Sequence, residues 1–186
     1  ATVADLEALD LDPRYAGWQI TTQFNLPGTA RVGGMEFNVR QSLRPLGGWG
    51  RYFAVFANGT KLQLEGARAA DFSGFTDRTI NWGVSLDRPR FSTKLNWNYT
   101  GPRRQNAVVG ANVPAGTYTY LKSRLQIDVN VEWRLSRRLG VYATVRNLTN
   151  MSNVTEAYAP NTPAYARTRQ IDLFGAAYTF GLKGSF

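Results

Sequence analysis

Asp128 and Glu132 lie four residues apart, and each stands one or two alternate positions from an asparagine or arginine, as does Glu36. Paired carboxylates serve as general acid and base when their environments push their pKa values apart. Set among basic and amide side chains, these three fit a salt-bridged, hydrated wall better than a catalytic pair. The chain contains neither histidine nor cysteine. That excludes a serine–histidine or cysteine nucleophile, disulfides and most transition-metal sites, and no G-x-S-x-G elbow is present. No catalytic residue, cofactor or metal site is therefore assigned, and an enzyme is not expected. The strongest binding candidate is the basic stretch Gly101-Pro102-Arg103-Arg104-Gln105-Asn106. Read as a loop, it suits an anionic small ligand or a lipopolysaccharide phosphate through Arg103, Arg104, Gln105 and Asn106, or else simple solvation. Arg88, Arg90, Arg137 and Arg138 fall in short turns and are expected at lipid headgroups or in water. The net charge of +9 is spread among such sites, not gathered on one helix or groove, so nucleic acid is not the expected partner. Four N-x-T sequons, at Asn58, Asn98, Asn147 and Asn153, read as polar pairs near strand ends.

The elements that position these residues follow a period of two. From Leu125 to Leu135 every odd residue is apolar and every even one polar or charged. Phe91–Tyr99, Ile80–Leu86, Trp18–Leu26 and Met35–Leu43 alternate in the same way, and the chain's last thirteen residues place Phe174, Tyr178, Phe180, Leu182 and Phe186 on one face. Such alternation means strands with one apolar side. Arg51–Leu64 is less regular, and Gly140–Asn150 loses phase after Val145, as a bulge would make it do. About eight strands result, each near the ~10 residues that cross a bilayer when tilted. Residues 1–14 are polar and acidic and read as loop.

Connections alternate between short (44–50, 88–90, 136–138) and long (65–76, 101–117, 151–167). That parity describes an all-β, antiparallel up-and-down meander of a transmembrane β-barrel. A soluble β-sandwich would share the alternation but turn its apolar faces inward. Two features favour the membrane: mid-sized polar residues mixed with opposite charges on the polar faces, and Trp97, Tyr99, Trp133 and Phe186 towards strand ends as an aromatic girdle. Aromatics at 13% with charged residues at only 19% suit a surface facing something less polar than water. No apolar run approaches the ~18 residues of a membrane helix, and no N-terminal stretch reads as a signal peptide, which leaves a mature form or a piece.

Three stretches together resemble the C-terminal barrel portion of TonB-dependent outer-membrane receptors. The first is Trp18-Gln19-Ile20-Thr21-Thr22 to Asn25 followed by Ala30-Arg31-Val32-Gly33-Gly34-Met35-Glu36-Phe37. The second is Val141 to Asn150, with Asn147-Leu148-Thr149-Asn150 closing it, and the third is the terminal strand ending on Phe186. Each motif is weak alone; their order and spacing cover nearly the whole chain. Family members are longer, with a plug domain, a TonB-contacting box and about 22 strands. The resemblance thus implies an open curved sheet, a segment of a larger barrel: residues 1–186 form roughly its last third, with plug and N-terminal strands lying elsewhere. It implies a multi-pass protein of a Gram-negative-type outer membrane that imports a scarce small ligand. The partners would be outer-membrane lipid, the TonB complex through the missing region, and the barrel-assembly machinery, which reads Phe186 with Leu182, Phe180 and Tyr178. The alternative is a complete eight-stranded barrel with a structural or adhesive role, since eight strands suffice for closure.

Overall fold

The computed structural model describes residues 2–18, 29–66 and 72–184. Among them are eleven strands: β1 (Ala30–Ser42), β2 (Phe53–Gly66), β3 (Arg78–Arg88), β4 (Phe91–Thr100), β5 (Arg103–Ala107), β6 (Tyr118–Leu121), β7 (Arg124–Arg134), β8 (Leu139–Arg146), β9 (Asn153–Tyr158), β10 (Thr168–Asp172) and β11 (Ala177–Gly184). They make two antiparallel sheets, a seven-stranded one in the order β1-β2-β3-β4-β7-β8-β11 and a four-stranded one in the order β10-β9-β6-β5. The second sheet continues the first: β5 follows β4, β6 precedes β7, β9 follows β8 and β10 precedes β11, so both share one lateral order.

Directly opposed residues on antiparallel strands point to the same side, so the register sorts the large sheet into two faces. One row runs Val39, Ala57, Trp82, Trp97, Ile127; another runs Val55, Val84, Leu95, Val129, Val145, Tyr178. On the opposite face, Arg40, Phe56, Gly83, Asn96 and Asp128 run between them, flanked by Asn38, Asn58, Asn81, Asn98, Gln126 on one side and Ser85, Lys94, Asn130, Thr144, Thr179 on the other. Period-two alternation in each strand becomes one apolar and one polar sheet face because every pairing keeps phase. Arg40 on β1, Lys94 on β4, Glu132 on β7 and Lys183 on β11 line one trough of about 610 Å³, so the sheet curves with its polar face concave. Aromatic rings cover the glycines that such curvature needs: Phe37 lies over Gly59, Phe56 over Gly83 and Tyr142 over Gly181, each pair directly opposed.

Neither face is covered by the other described residues. Among the described residues only Leu6 and Ala159 are buried apolar side chains. The chain exposes 14065 Å² at 20.7 kDa, against roughly 8,900 Å² for a folded monomer of that mass. The sheet ends at β1 and β11, and among the described residues no ladder joins these two edges.

The all-β antiparallel class is as expected, and so is the placing of all long connections at one end and all short ones at the other. Several details differ. Seven of the about eight expected strands lie among the described residues, and four more, β5, β6, β9 and β10, lie in or border the connections 101–117 and 151–167. Residues 103–106 are thus strand, not loop: Arg103 pairs with Leu121 and Arg104 with Tyr120. Residues 1–14, read as loop, hold helix α1 (Val3–Ala8), started by a capping box in which Asp5 Oδ2 accepts from the Thr2 backbone N–H at 2.7 Å and Thr2 Oγ1 accepts from the Asp5 N–H at 3.3 Å. The expected strand Arg51–Leu64 is displaced to Phe53–Gly66, since Gly48–Tyr52 forms a 3-10 turn. Phe174 lies outside the last strand. The expected first strand, Trp18–Leu26, falls outside the described residues except for Trp18, and Phe186 lies outside them altogether.

Candidate functional site

Two polar regions merit description: the concave face and the four-stranded extension above it. On the concave face, Asp128 collects donors. Asn98 Nδ2 reaches its Oδ2 at 2.9 Å, while Gln126 Nε2 and the Asn147 backbone N–H reach its Oδ1, each at 2.9 Å. Asn96 Nδ2 in turn donates to Asn98 Oδ1 at 2.7 Å. Glu132 lies 3.3 Å from Lys183 Nζ and 3.5 Å from Arg134 Nε. Both carboxylates are thus held by donors, as a charged wall requires, and neither is arranged as an acid–base pair. Glu36 lies on the same face in the row of Thr60, Thr79, Thr100 and Arg124.

Asn147 explains the loss of phase after Val145. Its φ of 55° places it in the left-handed region, which asparagine tolerates. Its Nδ2 donates to Met151 O at 3.1 Å and Gly175 O at 3.0 Å, and its Oδ1 accepts from the Met151 N–H at 2.8 Å. One side chain therefore ties the end of β8 to the segments leading into β9 and β11. The other sequon asparagines are also polar wall residues: Asn58 opposes Asn38 and Asn81, and Asn153 Oδ1 accepts from Arg124 Nη1 at 2.7 Å.

The four-stranded sheet gathers a cluster of aromatic and cationic groups. Tyr118 opposes Tyr158, and Tyr120 stacks on Tyr158 with ring centroids 4.0 Å apart and planes 13° from parallel. The Arg104 guanidinium lies 4.4 Å from the Tyr118 ring centre and that of Arg167 4.7 Å from the Tyr158 ring centre. Lys122 Nζ is 3.5 Å from Glu156 Oε1. Asn106 Oδ1 accepts from Ser73 Oγ at 2.9 Å, and Gly74 N–H donates to Arg104 O, so the connection from β2 to β3 docks on β5. Arg103 opposes Leu121 and also bridges to Thr76, facing away from the tyrosines. Of the four candidate ligand-facing residues, then, Arg104 joins the aromatic cluster, while Asn106 ties down a neighbouring segment. Planar rings and guanidinium groups together suit a planar or anionic small ligand. The tyrosines escaped the sequence reading because only Tyr118-Thr119-Tyr120 alternates in an otherwise irregular stretch; that short alternation was the available signal.

Burial, with the Tyr120 and Glu156 groups nearby, raises the Tyr158 phenol above its usual pKa of 10.0, and Arg167 opposes the rise. A raised value means that folding stability is unaffected below the ordinary phenol range and falls as pH climbs through it. In a spectrophotometric alkaline titration, Tyr158→Phe should remove amplitude from the high-pH end. Amplitude lost from the early part would contradict this environment.

The barrel-signal candidates Tyr178, Phe180 and Leu182 share the apolar face with Val145, Ala143 and Val141, and are 62–74% exposed at the sheet edge. Neither a family model nor a curated protein nor a solved structure matches the chain.

Proposed function

We propose that this chain is a section of the wall of an outer-membrane β-barrel of the TonB-dependent receptor kind, which supplies wall strands and extracellular hairpins to an importer of a scarce small ligand. The observation that carries the reading is the uncovered apolar face that runs unbroken across all seven strands on the outside of the curve. A soluble sheet must bury such a face against another layer; a barrel wall turns it to lipid. Its height is suitable. From Phe91 to Tyr99 the strand rises about 27 Å, which a tilt of 35–45° reduces to about 20 Å, close to the ~25 Å apolar band of such barrels. Charged residues bound it, with Lys61 and Arg78 opposed above and Arg88 below. The concave face, with its hydrated amides and ion pairs, is the lumen wall, and the four-stranded sheet is the outward extension where ligand is met. The resemblance supports the receptor type. The reading assigns the chain no catalysis. The alternative, a complete eight-stranded barrel, would join Trp18–Leu26 to the last strand, and that first strand lies outside the described residues apart from Trp18.

Labelling tests the orientation. The chain has no native cysteine, so a single cysteine at Ser73 or Asn106, both exposed, should react with a membrane-impermeant maleimide on intact cells. A cysteine at Arg137 should react only after the outer membrane is opened. The reverse pattern would invert the topology, and labelling of all three in intact cells would remove the chain from the membrane.

A further inference from the structure

The short-turn end carries a site that the wall role does not require. Where the apolar face stops, Tyr52, Leu86, Arg88, Arg90, Phe91 and Trp133 surround a groove of about 650 Å³ beside Pro89. Its floor is apolar: Phe91 and Trp133 oppose each other in the register and meet edge to face, with centroids 5.9 Å apart. Its head is cationic and held in place. The Arg88 guanidinium lies 4.3 Å from the Trp49 ring centre and 4.7 Å from that of Tyr52. Stacking between two rings fixes the guanidinium plane and leaves its N–H edge to bond oxygen. Arg90 is exposed one turn residue away, and the Arg134 Nη1 contact to Pro89 O, 3.4 Å, braces that turn.

The local carboxylates do not neutralise this pair. Glu132 is engaged by Lys183 and Arg134, and Asp87 belongs to the opposite, polar face, in the row of Ser92 and Glu132. No ion pair involves Arg88 or Arg90 among the described residues. The groove therefore offers one ring-held and one exposed guanidinium group, neither in an ion pair among the described residues, at one end and an aliphatic and aromatic channel at the other. A free anion would use only the first half and a neutral lipid only the second.

We propose that this groove binds one anionic phospholipid, with its phosphodiester between Arg88 and Arg90 and an acyl chain along Leu86, Phe91 and Trp133. The proposal rests on the barrel-wall reading, which puts this end at the inner leaflet, and makes the rim a specific lipid seat.

The test reconstitutes the full-length barrel that contains this chain in bilayers of equal phosphatidylglycerol and phosphatidylethanolamine, extracts it gently and counts retained lipids by native mass spectrometry. One phosphatidylglycerol should be retained in preference to phosphatidylethanolamine. Arg88→Gln should reduce that preference about fivefold and Arg88→Gln with Arg90→Gln about thirtyfold, the scale of two arginines at an anionic surface. Arg40→Gln, on the polar face, should leave it unchanged. Equal retention of the two lipids by the unmodified chain, or an equal loss in Arg40→Gln, would overturn the site. So would release of the lipid by inorganic phosphate at matched ionic strength, which would mark a plain anion site. A full-length barrel that inserts but shows no preference defeats this proposal alone; one that fails to insert defeats the barrel-wall reading with it.

Discussion

Val129→Arg should destabilise the proposed full-length barrel by about 2–4 kcal/mol, the cost of a guanidinium on its lipid face near mid-membrane. Val129 opposes Leu95 and Val145 in the middle of the apolar face, with Tyr178 beyond them at the sheet edge. The next residue is the control. Asn130 opposes Lys94 and Thr144 on the concave face, and its side chain accepts one hydrogen bond, from Thr144 Oγ1 at 3.0 Å. Asn130→Arg therefore loses about 1 kcal/mol for that bond and keeps its charge in water. Denaturant unfolding from lipid vesicles, followed by tryptophan fluorescence, gives both values. Equal costs at the two positions would refute the assignment of faces.

Asn147→Ala should cost about 4–5 kcal/mol, although Asn147 is neither in the apolar face nor in a strand. Alanine loses three side-chain hydrogen bonds, each worth about 0.5–1.5 kcal/mol net. It also keeps a Cβ at φ 55° without the local bonding that lets asparagine stay there, a strain of about 1–2 kcal/mol. Asn147→Gly separates the two contributions: it relieves the strain, retains the backbone N–H bond to Asp128 and loses only the side-chain bonds, so it should fall between wild type and alanine. The same unfolding measurement applies. If alanine and glycine are equally harmful, strain has no part, and a cost for alanine below about 1 kcal/mol would mean that Asn147 does not tie β8 to β11.

What the sequence determined is the local rule. Period-two alternation identifies β4 and β7 within a residue, because one row of side chains facing an apolar medium and one facing water leave a direct trace in hydropathy. Turn parity followed from the same strands. Local signals also carried the loss of phase at Asn147, though not its cause. What only the tertiary structure decided is everything that depends on which strands lie side by side. The side-chain partners of Asp128 come from β4 and β7, and the tie to Gly175 crosses 28 residues. The basic stretch 103–106 became a strand because β6 was there to pair with it; nothing in four polar residues announces a partner that lies beyond a ten-residue connection. Tyr120 and Tyr158 stack although 38 positions separate them, and Arg88 meets Trp49 and Tyr52 only through the β2–β3 pairing. Alternation is a property of one strand and its surroundings, so it is written in the chain. Sites are made between strands, and register, which the hydrogen-bond ladders set, is what brings their residues together.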